Sequence, residues 1–172
     1  MSRHLRLCLD LNIWCAALLA DAKGTQNSAC QNIVDTVRYG RCYRGTVELV
    51  ISWGMLNRLE QVLLRLTPLA NDAAFYIDVI RSYAQLYPQL TLGGTGVIPL
   101  TDTEDQHVVE TAFAGRVDIL VTANFRDFST KDIKLVIPEK HSIYRSPIHQ
   151  FHIVHPYLMI NWLNQCNIPE II

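Results

Sequence analysis

The stretch DTEDQHVVETAFAGRVDILVTANFRDF, residues 102–128, passes from a helix start through a buried strand to a second polar cluster. Thr103 followed by Gln106 reads as a capping box, which places Asp105 in the first helical turn. Val108, Val109, Ala112 and Phe113 then recur at helical spacing, and Gly115 ends the helix. Asp118 to Thr122 is a short apolar run suited to a buried parallel strand. Asn124 and Asp127 follow at once, beyond the carboxyl end of that strand, where open α/β sheets place their sites.

Toward the N-terminus, Leu5 to Leu9 is a β-type run that delivers Asp10, and Asp10-Leu-Asn12 opens an apolar helix through about Leu19. Asp10 or Asn12 taken alone reads as a helix cap. Ser28 to Tyr39 is helical, with Ala29, Cys30, Ile33 and Val37 facing the core, and Gly40 stops it. Arg38, Arg41 and Arg44 interleave with Tyr39 and Tyr43; this reads as a solvated loop, with RNA contact as the functional alternative. Val47 to Ile51 is a second strand, and Ser52 caps a helix to Leu66 whose stripe is Met55, Leu56, Leu59, Val62, Leu63 and Leu66. Asn71 or Asp72 caps a further helix through Tyr87, with Phe75, Val79, Tyr83 and Leu86 inward. Gly93, Gly94 and Gly96 lack the Lys-Ser or Lys-Thr of a phosphate loop and read as a plain loop. Lys134 to Ile137 and Gln150 to Val154 supply strands, Pro138 to Ile148 looks like an insertion, and Pro156 opens a last helix to about Cys166. His149, His152 and His155, spaced by three across a strand, point to alternate faces and do not make a zinc site by themselves.

At 172 residues, 49% hydrophobic and 18% charged, the chain is long and apolar enough for one globular domain spanning residues 1–172. No apolar run reaches the roughly 18–20 residues of a membrane span. Asp10 interrupts what would be a signal-peptide core. Five cysteines without CxxC spacing suggest reduced thiols in a cytoplasmic protein. Fifteen basic against 16 acidic residues, a net charge of −1, argue against extended coating of nucleic acid and for a short contact.

The D-x-N after the first strand, with the helix–strand–VTxNxxDF block, resembles the PIN domain, a family of metal-dependent ribonucleases that includes many bacterial toxins. Residues 102–124 match the family's pattern without a gap. The resemblance covers Leu5 to about Leu163 and implies a three-layer α/β/α fold with a central, mostly parallel sheet. It implies that Asp10, Asp105 and Asp127 hold Mg²⁺ or Mn²⁺, with Asn124 beside them as a fourth site residue. It further implies hydrolysis of single-stranded RNA, a small antitoxin partner and a homodimer. The family's second acid follows S-x-x-x-x-x-E-L-x-x-V-L; Ser52, Leu59, Val62 and Leu63 match, but Arg58 stands in the acid's place. Glu60, two residues on, lies about 200° around the helix, so only one of the two faces the acids, and the register selects Arg58. Arginine among ligands competes with a cation, so the alternative reading is a catalytically impaired RNA- or protein-binding module.

Overall fold

The computed structural model describes residues 4–66, 70–84, 103–125 and 131–171, with backbone alone for residues 70 and 103–105. Seven strands form one sheet: β1 (Leu5–Leu9), β2 (Arg41–Cys42), β3 (Gly45–Leu49), β4 (Ile119–Val121), β5 (Ile133–Ile137), β6 (His141–Arg145) and β7 (Gln150–Val154). Their order is β2-β3-β1-β4-β7-β6-β5. The four central strands run parallel, with Leu7 beside both Leu49 and Ile119, and Val121 beside both Leu9 and Val154. Antiparallel pairings at both ends make the sheet mixed. Among the described residues six helices flank it: α1 (Leu11–Ala22), α2 (Ala29–Tyr39), α3 (Trp53–Leu66), α4 (Ala70–Tyr83), α5 (Thr103–Ala114) and α6 (Pro156–Asn164). No helix of the described residues is long and apolar enough to cross a membrane.

Local chemistry explains the element ends. Ser28 and Gln31 close a reciprocal capping box on α2, and Gly40 ends that helix in the left-handed region at φ 62°. Ser52 Oγ accepts from Met55 N at 3.2 Å and from Thr111 Oγ1 at 3.0 Å, so one buried hydroxyl starts α3 and ties it to α5. Asp118 is structural, because its Oδ2 accepts from Arg6 N at 2.8 Å. The Arg6 side chain continues to Glu48 and to the carbonyl of Gly115, so β1 fastens both β3 and the α5–β4 turn. Gly115 is required by close approach, since a Cβ there would overlap Val50 Cγ1, a fully buried group.

Several expectations need correction. The supposed insertion contains β6, an interior strand between β5 and β7. HSIYR has no apolar run to reveal it, because its buried positions include His141 and Ser142. Helix α4 is already under way at Ala70, so Asn71 and Asp72 lie inside it rather than capping it. Its inward face is Ala73 and Ile80, whereas Phe75 is 70% exposed. Two apolar stripes compete on that helix, and the one with the smaller Ala73 packs against the core. Leu66 is likewise 47% exposed although it continues the α3 stripe. Arg41 and Cys42 pair with β3, and Tyr43 Oη accepts from Ile168 N at 2.7 Å, so part of the basic–aromatic segment is strand and tail clamp. Leu86, Tyr87 and the Gly93–Gly96 loop lie outside the described residues.

Of the histidines weighed for a metal, His152 instead forms a buried pair with His141. His141 and His152 are 5% and 4% exposed, and their rings share a 2.9 Å hydrogen bond. His152 Nε2 meets the carbonyl of Pro169 at 3.1 Å and must donate there, so its Nδ1 accepts from His141 Nε2–H. Trp162 packs edge-on against both rings. Burial first, then His152, lowers the His141 pKa to about 4; burial likewise lowers that of His152.

Two outcomes follow from this packing. Gly115→Ala should destabilise the protein by about 1–3 kcal/mol in urea unfolding, and adding Val50→Ala should recover part of that loss. A Gly115→Ala protein as stable as wild type would show that α5 and β3 are not in close contact. Both histidines bind protons more readily unfolded, near pKa 6.5, than folded. Their contribution is therefore complete above about pH 6.5 and drains away as pH falls toward 4. The wild-type melting temperature should drop between pH 7 and 5. His141→Gln/His152→Gln should melt lower at pH 7 yet show a flatter slope over that interval, and an unchanged slope would contradict the neutral pair.

Candidate functional site

The site grows from the parallel register at the centre of the sheet. Strand β1 ends beside β4, and Asp10 N donates to Val121 O at 3.0 Å, so the chain emerges with Asp10 next to Thr122. The Asp10 carboxylate is 5% exposed and is oriented by three donors. Leu11 N reaches Oδ1 at 2.6 Å, while Asn12 Nδ2 and Thr122 Oγ1 each reach Oδ2 at 2.7 Å. Capping and site roles thus coexist: the same carboxylate is the N-cap of α1 and a wall of the cleft.

Thr122 is the hinge of the arrangement. Besides donating to Asp10, its hydroxyl accepts from Asn124 N at 3.0 Å, which turns the chain after β4 and carries Asn124 to the cleft. Asn12 closes the circuit through Oδ1, which accepts from Ala123 N at 3.3 Å. Two loops more than a hundred residues apart are thereby locked by side chains of D-x-N and of VTxN.

Asp10, Asn12, Met55, Arg58, His107 and Asn124 line a cavity of about 190 Å³. That volume suits a hydrated ion or a phosphate group, below the roughly 300–1,000 Å³ of drug-sized sites. Arg58, not Glu60, lines it, as the helix register requires. Its Nη1 is closed off from solvent and has no hydrogen-bond partner among the described residues. A larger cavity of about 390 Å³ lies between α1, α2 and α4, but there Asp21 is engaged by Gln31 and Asp35 by Arg38. It lacks a buried, converging set of charges like that around Asp10.

Of the expected site residues, Asp10 and Asn124 come together. Asp105 occupies the first turn of α5, but its side chain is not among the described atoms, and Asp127 lies outside the described residues. Gln106 directs its amide to Glu110 Oε1 at 3.1 Å. His107 and Thr122 were not foreseen as site residues: His107 is a polar break in an apolar helix, and Thr122 is a polar residue at a strand end.

Chemically, the described wall offers one carboxylate, two amides, a guanidinium and an imidazole. Asp10 fits one ligand position for a hard divalent cation. Arg58 does not fit such a set, because its charge opposes a cation in the same small cavity. Among the described residues no cluster of three acidic, histidine or cysteine side chains is able to hold a metal. Thiol chemistry is disfavoured too: burial, then the Asp10 charge, push the Cys8 and Cys15 pKa values upward, so both are protonated at neutral pH.

None of the curated proteins compared matches the chain. The solved structure of VapBC2 from Rickettsia felis, bound to a DNA fragment from their promoter, aligns over 72% of this chain and 91% of that one. The two are 17% identical, with a TM-score of 0.46. The family model PIN_3, described as a PIN domain, matches residues 6–126, the segment that carries Asp10, α3, α5, β4 and Asn124. The chain belongs to the PIN-domain family.

Proposed function

We propose that this protein, read as one domain over residues 1–172, is a nuclease that hydrolyses phosphodiester bonds of single-stranded RNA with Mg²⁺ or Mn²⁺. The observation that carries the reading is the Asp10 carboxylate, buried at the end of β1 and fixed by three donors on a small polar cleft. Holding a buried charge in one orientation costs desolvation, and a ligand site is a reason for the fold to bear that cost. Asp10, Asp105 and Asp127 are the carboxylates assigned to the cation. A divalent ion bound there supplies Lewis-acid charge to the scissile phosphate.

The chain's own residues set the rest of the chemistry. Thr122 and Asn12 keep the Asp10 carboxylate from rotating, and Asn124 presents a neutral amide where a further acid would add repulsion. Asp127 is assigned either a second ion or the orientation of the attacking water. A cytoplasmic toxin paired with a small antitoxin, and a homodimer, complete this reading; both come from the family resemblance.

Arg58 favours a second reading, a PIN-fold module that binds RNA or protein and has lost catalysis. Opposite charges 4 Å apart interact by about 4 kcal/mol at an effective dielectric near 20, before desolvation. A cation entering this cleft therefore meets a resident competitor.

Asp10→Asn and Asp105→Asn should each lower Mn²⁺-dependent cleavage of a labelled single-stranded oligoribonucleotide by at least about 100-fold, roughly 2.7 kcal/mol, with unchanged circular dichroism. Cleavage that survives in both variants, or in excess EDTA, would remove the nuclease assignment. Arg58→Glu should tighten Mn²⁺ binding by about tenfold or more in titration calorimetry, a change of about 1.4 kcal/mol. Equal affinities for the two proteins would mean that Arg58 does not oppose the ion.

A further inference from the structure

Arg58 carries a donor that meets no acceptor among the described residues. Its Nη1 is shielded from solvent and makes no hydrogen bond among the described residues, although it belongs to a residue that lines the same cavity as Asp10. A buried polar group left unpaired costs about 1–3 kcal/mol, and more when it carries charge. Asp10, the described carboxylate on that cavity, already accepts from Leu11, Asn12 and Thr122. The remaining described polar side chains of the cavity, Asn12, Asn124 and His107, are not carboxylates. Among the described residues no anionic oxygen meets Nη1, and one brought from outside the chain can do so.

Phosphate is the chemistry that fits. A guanidinium binds phosphate oxygens through a planar fork of donors, and it keeps its charge at every accessible pH. One internucleotide phosphate carries one negative charge, and Arg58 is the positive charge among the described residues lining the cavity. A cavity of about 190 Å³ admits the phosphate while leaving the bases outside. The short contact also agrees with a net charge of −1.

We infer that Arg58 is a phosphate anchor: it binds a non-bridging oxygen of the nucleic-acid backbone directly and without a metal ion. The inference rests on the cleft being the substrate site proposed above, and it assigns Arg58 to binding rather than to the reacting atoms. The residue that weakens cation binding then holds the substrate against the same cleft.

The test uses the full chain in EDTA, with inorganic phosphate in titration calorimetry and a fluorescent single-stranded oligoribonucleotide in anisotropy. Wild type should bind both. Arg58→Met should bind each at least tenfold more weakly while melting no lower than wild type without ligand, since it removes a buried unpaired donor. Arg58→Lys, which keeps the charge and loses the fork, should fall between them. If Arg58→Met does not fold, Arg58→Lys decides: a loss of about fivefold supports the anchor, and unchanged affinity overturns it. Equal affinities of wild type and Arg58→Met overturn it, as does binding that appears only when Mg²⁺ is added. Loss of free phosphate binding with oligoribonucleotide binding intact overturns the nucleic-acid assignment. Arg58-dependent binding in EDTA without cleavage in Mn²⁺ leaves the anchor standing and removes the nuclease reading. Cleavage with binding indifferent to Arg58 does the reverse.

Discussion

The hydrogen bond from Thr122 Oγ1 to Asp10 Oδ2, 2.7 Å long, is the constraint on which the rest of the cleft depends. Parallel β1 and β4 bring their carboxyl ends to the same edge, but a sheet register positions backbones, not side chains. Thr122 converts backbone adjacency into a fixed carboxylate. The same hydroxyl also accepts from Asn124 N, so one oxygen holds residues from both ends of the sequence. Replacing it by an isosteric apolar residue would leave the strands paired and Leu11 N and Asn12 Nδ2 on the acid, but would remove the bond that ties the acid to the end of β4.

That division explains what was legible in the chain. The central strands were readable because Ile119–Val121 is an apolar run, and Leu5–Leu9 and Val47–Leu49 are apolar apart from Arg6 and Glu48, which pair with each other across β1 and β3. The antiparallel edge was less readable. Its middle strand buries His141 and Ser142, and a buried polar residue gives no periodic signal until its partner is known. His141 finds that partner eleven residues away, in His152, across a strand pair that the sequence does not announce. On α4 the failure was different: Phe75 and Ala73 both lie on plausible apolar stripes, and hydrophobicity alone ranks the larger side chain inward. Packing chose the smaller one.

For the site, D-x-N and VTxN were visible as motifs because their spacing is local, and the structure unites them as a circuit of Asp10, Asn12, Thr122 and Asn124. The orientation of Arg58 was also legible, since residues two apart on a helix cannot face one point. His107 was not, because a single histidine in an apolar helix carries no phase information of its own. Thr122 was hidden for the opposite reason: it completes a strand, and its function lies in one hydrogen bond that no pattern encodes.

The electrostatics of the cleft come down to counting charges in a confined volume. A cleft built from carboxylates alone repels its own members and attracts any hard cation, whereas substrate phosphate approaches only after that cation has arrived. Placing a guanidinium in the wall changes the order. Asp10 and a positive charge then line one small cavity, and on the proposed reading the guanidinium gives phosphate a point of attachment independent of the ion. Weaker metal binding and direct phosphate binding are then, on the proposed reading, two consequences of one arginine on α3.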